Sequence, residues 1–167
     1  MLQKRRILII DDEPDLTMLV KLNLEKTGKY EVRQENRAIR GLSAAREFKP
    51  ELVLLDVMMP DLDGGDVLAQ LKADANLKDV PVVFLTATVL KEEVAKKGGT
   101  IGGYPFIPKP FRSEVLLDRI EKILPPPAPA APARDAREAR EGRDRRELRD
   151  STLRSRFGFR GREDRPK

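Results

Sequence analysis

Short apolar runs alternate with longer stretches of helical period five times before residue 125, and this alternation constrains the fold more than any other feature of the chain. The runs are Ile7-Leu8-Ile9-Ile10, Tyr30-Glu31-Val32-Arg33, Leu52-Val53-Leu54-Leu55, Val80-Pro81-Val82-Val83-Phe84-Leu85 and Tyr104-Pro105-Phe106-Ile107. Runs of this length, rich in branched and aromatic residues, predict strands. Residues 14–27, 38–48, 64–72, 89–97 and 111–124 have the spacing of helices. In the last of these, Leu116, Ile120, Ile123 and Leu124 share one face. Pro14 suits a first helical turn, and Gly28 suits a helix stop. The first, third and fourth runs are nearly all apolar, as expected where helices cover both faces of a parallel sheet, while the half-polar second run reads as an edge. Five such units in residues 1–124 predict an α/β fold, a doubly wound (βα)5 three-layer sandwich. In that architecture function concentrates at the carboxyl ends of the strands.

Composition narrows the chemistry available there. The chain has 167 residues, of which 40% are hydrophobic, enough for one sizeable core. It contains no cysteine and no histidine, which excludes disulfides, thiolate and imidazole metal ligands, and Ser-His-Asp or Cys-His catalysis. Such a chain cannot be a histidine kinase or a histidine phosphocarrier, although it could receive a phosphoryl group from one. No apolar run approaches the roughly 18–20 residues of a membrane helix, and the basic start Met1 to Arg6 is followed by too short an apolar stretch for a signal peptide. A cytoplasmic location is therefore expected.

Four strand ends carry polar residues. Asp11-Asp12-Glu13 follows the first strand, Asp56 ends the third, Thr86 ends the fourth, and Lys109 comes just after the fifth. Clustered carboxylates without His or Cys are hard oxygen ligands suited to Mg²⁺. An Asp can also act as a nucleophile toward a phosphoryl group when a metal, a cation and a hydroxyl share the charge of the transferring group. Taken singly, Asp11-Asp12 reads equally well as a helix cap, while Asp56 reads more readily as a turn residue, Thr86 as a strand-end filler and Lys109 as a surface lysine. Their coincidence at four strand ends favours a site.

The stretches Ile7-Leu8-Ile9-Ile10-Asp11-Asp12-Glu13-Pro14, Leu54-Leu55-Asp56-Val57-Met58-Met59-Pro60-Asp61-Leu62-Asp63-Gly64, Pro81-Val82-Val83-Phe84-Leu85-Thr86-Ala87 and Pro108-Lys109-Pro110-Phe111 together resemble the receiver domain of two-component response regulators, of the stand-alone chemotaxis type. The resemblance covers residues 5–124. It implies a flavodoxin-like parallel sheet of order 2-1-3-4-5, an order that comes from the resemblance and not from periodicity. It also implies that Asp56 is the phosphoacceptor, Asp12 the direct Mg²⁺ ligand, Asp11 the second acidic residue, and Met58 the residue whose backbone carbonyl completes the metal site. Thr86 resembles the switch hydroxyl, Lys109 the lysine that binds the acyl phosphate, and Phe106 the switch aromatic, although plain core is an alternative for Phe106. The Lys109-Pro110 bond resembles the family's cis peptide. The implied partners are a histidine kinase or His phosphotransfer protein and a downstream target protein, and the implied activity is phosphoacceptance rather than enzymatic turnover. One departure stands out: Gly98-Gly99-Thr100-Ile101-Gly102-Gly103 precedes Tyr104, and Pro105 removes a ladder donor, so the strand is expected to be irregular or an edge there.

Residues 125–133 hold five prolines in nine positions and read as a stiff linker. Residues 134–167 contain 13 Lys and Arg against 8 Asp and Glu, which accounts for the whole formal net charge of +5. The globular part is therefore neutral. From Arg134 to Asp150 the pattern Arg-acid-x repeats, without an apolar stripe to bury, and predicts a disordered polyampholyte. Further on, Phe157 and Phe159 lie among Arg154, Arg156, Arg160 and Arg162, a composition that admits nucleic-acid contact, although so short a segment without a nucleic-acid fold favours a solvated tail or a docking peptide. Three functional readings follow: a single-domain response regulator acting by protein contact, an unphosphorylated pseudo-receiver scaffold, and an adaptor whose basic tail binds nucleic acid or an acidic partner. A hydrolase of external phosphates fits least.

Overall fold

The computed structural model describes residues 3–87 and 100–125. The expected helix at 89–97 and nearly all of the expected linker and tail lie outside these residues. The elements in chain order are β1 (Arg5–Ile10), α1 (Pro14–Glu25), β2 (Tyr30–Glu35), a 3-10 turn (Ala38–Arg40), α2 (Gly41–Phe48), β3 (Leu52–Asp56), α3 (Gly64–Ala73), β4 (Val82–Thr86), β5 (Thr100–Ile101), β6 (Tyr104–Pro108) and α4 (Ser113–Ile123). Five strands pair in parallel in the order β2-β1-β3-β4-β6, so β6 is the fifth strand of the sequence pattern and half-polar β2 is an edge.

The apolar runs are continuous because both faces of the sheet are buried. Ile7, Ile9, Leu54, Val83, Leu85 and Ile107 face one layer, where they pack with Val20 and Leu24 of α1 and Leu116 and Ile120 of α4. Leu8, Ile10, Val53, Leu55, Val82, Phe84 and Phe106 face the opposite layer, with Ala44 and Ala45 of α2 and Val67 and Leu71 of α3. Among the described residues, no helix is long and apolar enough to cross a membrane.

Two local features depart from the periodicity. The expected single fifth strand is preceded by β5, which pairs antiparallel with β6 through a turn in which Gly102 (φ 58°) and Gly103 (φ 87°) both occupy the left-handed region. Consecutive positive φ values are what a tight two-residue hairpin requires, and glycine meets them without a steric penalty. Pro105 faces Thr100 across this hairpin, and the parallel ladder with β4 begins only at Phe106, so the missing N–H falls at the end of the strand. The expected helix from residue 38 opens instead as a 3-10 turn. There the Asp61 carboxylate accepts the backbone N–H of Ala38 at 3.3 Å and of Ile39 at 3.0 Å.

The start of α3 is pressed against the end of β3. The N–H of Gly64 donates to the Val57 carbonyl at 2.9 Å. A Cβ on Gly64 would overlap the carbonyl oxygen of Asp56 and stand 2.9 Å from the Cα of Val57. Both obstacles are backbone and cannot rotate away. Gly64→Ala is therefore expected to destabilise the protein by about 1–3 kcal/mol, read as a lowered urea midpoint at unchanged slope.

Candidate functional site

Register determines which side chains meet. Ile10 lies opposite Leu55, Asp56 opposite Leu85, and Thr86 opposite Pro108, so β1, β3, β4 and β6 end side by side on one edge of the sheet. Past those ends stand Asp11, Asp56, Thr86 and Lys109. Asp11 is fully buried, Asp56 5% exposed and Thr86 2% exposed.

Backbone and neighbouring side chains hold each residue in place. The N–H of Asp11 donates to the Glu35 carbonyl at 3.1 Å, and its carbonyl accepts from Asn36 Nδ2 at 2.8 Å. The same Asn36 amide reaches the hydroxyl of buried Thr17 at 2.9 Å, which clamps the β1–α1 connection to the end of β2. Asp11 Oδ1 accepts the backbone N–H of Glu13 at 3.0 Å. After β3, the N–H of Val57 donates to the Leu85 carbonyl at 3.2 Å, and that of Met58 approaches Asp56 Oδ1 at 3.4 Å. The N–H of Lys109 donates to the Thr86 carbonyl at 2.8 Å, and the Lys109-Pro110 peptide is cis.

The Lys109 ammonium joins three strand ends. Its Nζ lies 2.6 Å from Asp11 Oδ2, 3.0 Å from Glu13 Oε1 and 3.5 Å from Asp56 Oδ2. Asp11, Asp12 and Asp56 each bring a carboxylate oxygen within 4.8 Å of the others. One ammonium cannot balance that many carboxylates. Burial, followed by the charge of Asp11, pushes the pKa of Asp56 up to about 6 against the opposing pull of Lys109. Burial also raises Asp11, outweighing its hydrogen bond with Lys109. For Lys109, burial pulls downward, but hydrogen bonds to Asp11 and Glu13 and the charges of Asp11 and Asp56 overcome it, and the amine is held above its ordinary value.

Such an excess of buried negative charge is the signature of a site made for a cation. Apart from the Lys109 ammonium at 2.6 Å, Asp11 Oδ2 has no partner among the described residues. Oxygen donors without nitrogen or sulfur suit a hard divalent ion, and the donor set therefore fits Mg²⁺.

Of the residues expected from sequence, Asp11, Asp12, Asp56 and Lys109 come together in one cluster, with Thr86 on the adjoining strand end. Met58 stands two residues after Asp56, its side chain turned to solvent at 66% exposure. Phe106 is 5% exposed, in the core opposite Phe84. Three contributors were not assigned from sequence: Glu13 on Lys109, Asn36 behind Asp11, and Asp61 on the 3-10 turn. Glu13 adjoins the Asp pair and its presence was legible, but a partner 96 positions away was not.

Comparison with known proteins places this geometry. The model of the response regulator receiver domain matches residues 7–121. The chain belongs to that family. Receivers are the phosphoacceptors of two-component signalling and interact with histidine kinases or phosphotransfer proteins. This receiver is 36% identical over 121 residues to protein PilH of Pseudomonas aeruginosa, which covers 71% of the chain and 97% of PilH. It is 38% identical over 120 residues to the DNA-binding dual master transcriptional regulator RpaA of Synechocystis, covering 71% of the chain but 48% of RpaA. The chain spans about half the length of the transcriptional regulators that it matches. Among solved structures, Vibrio cholerae chemotaxis protein CheY4 superposes with a TM-score of 0.64 over 73% of this chain and 100% of that one. The receiver domain of the Pseudomonas aeruginosa sensor histidine kinase PA1611, solved with a magnesium ion coordinated in its active-site cleft, gives a TM-score of 0.61 over 72% and 97% of the two chains. At 24% identity both are likenesses of fold.

The raised pKa of Asp56 has a signed consequence for stability. A carboxyl that binds its proton more tightly in the folded chain favours folding at low pH, and that favour is lost as pH rises from about 4 through about 6. Ionised Asp56 is thus a liability at neutral pH. In metal-free protein at pH 7, Asp56→Asn is expected to gain on the order of 2 kcal/mol, with the gain vanishing toward pH 4. Urea titrations of both proteins across that range check it.

Proposed function

We propose that this receiver takes a phosphoryl group on Asp56 from a phosphohistidine of a histidine kinase or His phosphotransfer protein. It then acts as a single-domain response regulator in the cytoplasm, by contact with a downstream target protein. The observation that carries this reading is the Lys109 ammonium 3.5 Å from the Asp56 carboxylate, in a pocket shared with Asp11 and Asp12. Asp56 closes β3 itself, paired with Leu85 of β4, and has Lys109 beside it. A carboxylate oxygen of Asp56 attacks phosphorus, the phosphorus–nitrogen bond of the donor breaks, and the imidazole leaves with its electron pair.

Asp11, Asp12, Asp56 and the backbone carbonyl of Met58 would hold the divalent ion, which would neutralise charge on the phosphoryl oxygens. Lys109 supplies the second positive charge, from the side of β6. Thr86, at the end of the neighbouring strand, offers a hydroxyl to the phosphoryl group. A shift of Thr86 toward it would free space in which Phe106 resettles, and the resulting surface is what a target reads. Support for single-domain action comes from PilH, of which the matched region covers 97%. Turnover of external substrates is not part of this reading, since the chemistry is spent on the protein's own aspartyl phosphate.

The test is phosphorylation by acetyl phosphate, followed by intact mass. Wild type is expected to gain one phosphoryl group only with Mg²⁺ present, and Asp56→Asn none. A folded wild type that takes up no phosphoryl group, and no beryllofluoride in its place, would sink the proposal in favour of an unphosphorylated scaffold.

A further inference from the structure

Lys109 contacts three carboxylates, of which Glu13 alone has no part in the reading above. Its side chain is 61% exposed, and Lys109 is its one side-chain partner among the described residues. The ammonium has three N–H donors. It stands 2.6 Å from Asp11 and 3.0 Å from Glu13, but 3.5 Å from Asp56, beyond an ordinary hydrogen-bond length. The lysine is therefore drawn toward the β1–α1 connection and away from the nucleophile.

We propose that Glu13 is a positioning residue that restrains Lys109, holding its ammonium off Asp56 and competing with the incoming phosphoryl group for it. The proposal rests on Asp56 being the phosphoacceptor. Lys109 keeps one N–H for a phosphoryl oxygen on Asp56, and moving its ammonium toward β3 lengthens the contacts on the β1–α1 side. The Asp11 contact is the shorter and is fully buried, whereas released Glu13 is hydrated at once. Glu13 is thus the contact that yields. This competition for the ammonium lowers the affinity of the site for a phosphoryl group. A receiver restrained in this way responds only to donors that bring enough binding energy of their own, such as a docked kinase, and less readily to small phosphates in solution.

The experiment uses the full chain with Mg²⁺ and beryllofluoride, with binding followed by fluorine NMR and paired with the acetyl phosphate concentration for half-maximal phosphorylation rate. Glu13→Gln is expected to tighten beryllofluoride about three- to tenfold and to lower the half-maximal donor concentration by a similar factor. Its melting temperature should be unchanged, because an exposed pair contributes little to stability. In a Lys109→Ala background the same substitution should give no gain, since the restraint acts through the ammonium. Unchanged affinity in Glu13→Gln, or a gain that persists without Lys109, overturns the proposal while leaving Asp56 as acceptor. Wild type that binds no beryllofluoride, or Asp56→Asn that binds it equally well, removes the underlying reading and this proposal with it.

Discussion

Parallel pairing of four central strands is the constraint from which the rest of the molecule follows. Once β1, β3, β4 and β6 run the same way in this register, their carboxyl ends must fall on one edge, and whatever residues close those strands become neighbours. Asp11 and Asp56, 45 positions apart in the chain, are thus brought together with Thr86 and Lys109. The apolar interiors of the same strands serve both packed layers, so no strand can slip by one residue without turning its buried set toward the wrong helices.

That register gathers negative charge that folding by itself disfavours. Burial and mutual repulsion raise Asp56, and burial raises Asp11 despite an ammonium at 2.6 Å. The hydrophobic sandwich beneath supplies the stability that lets such a site persist. The backbone holds it from behind: Asn36 fixes the Asp11 carbonyl, and the Gly64 N–H on Val57 draws α3 close under Asp56. Repulsion of this kind is relieved when positive charge arrives.

The ends of the apolar runs were the legible part of the site. Asp11, Asp56, Thr86 and Lys109 are readable because each interrupts or follows a hydrophobic run, and a polar residue at that place has a limited set of uses. Glu13, Asn36 and Asp61 were not readable in the same way. Each acts on a partner far along the chain, Lys109, Asp11 or the 3-10 turn at Ala38, and no local pattern marks such a pairing. The hairpin of β5 was missed for a related reason, since two residues are too few to show a period, although Gly102-Gly103 marked the turn.

By itself the sequence determined the strand and helix alternation, the three-layer packing and the residue types at the strand ends. These are encoded locally, by hydrophobic period and by the few residues able to stop a strand or start a helix. Tertiary structure decided the distances among the carboxylates, the order in which Lys109 favours its three partners, and the placing of Phe106 in the core opposite Phe84. Those depend on register and on the balance of burial against charge, which exist only once distant strands lie side by side.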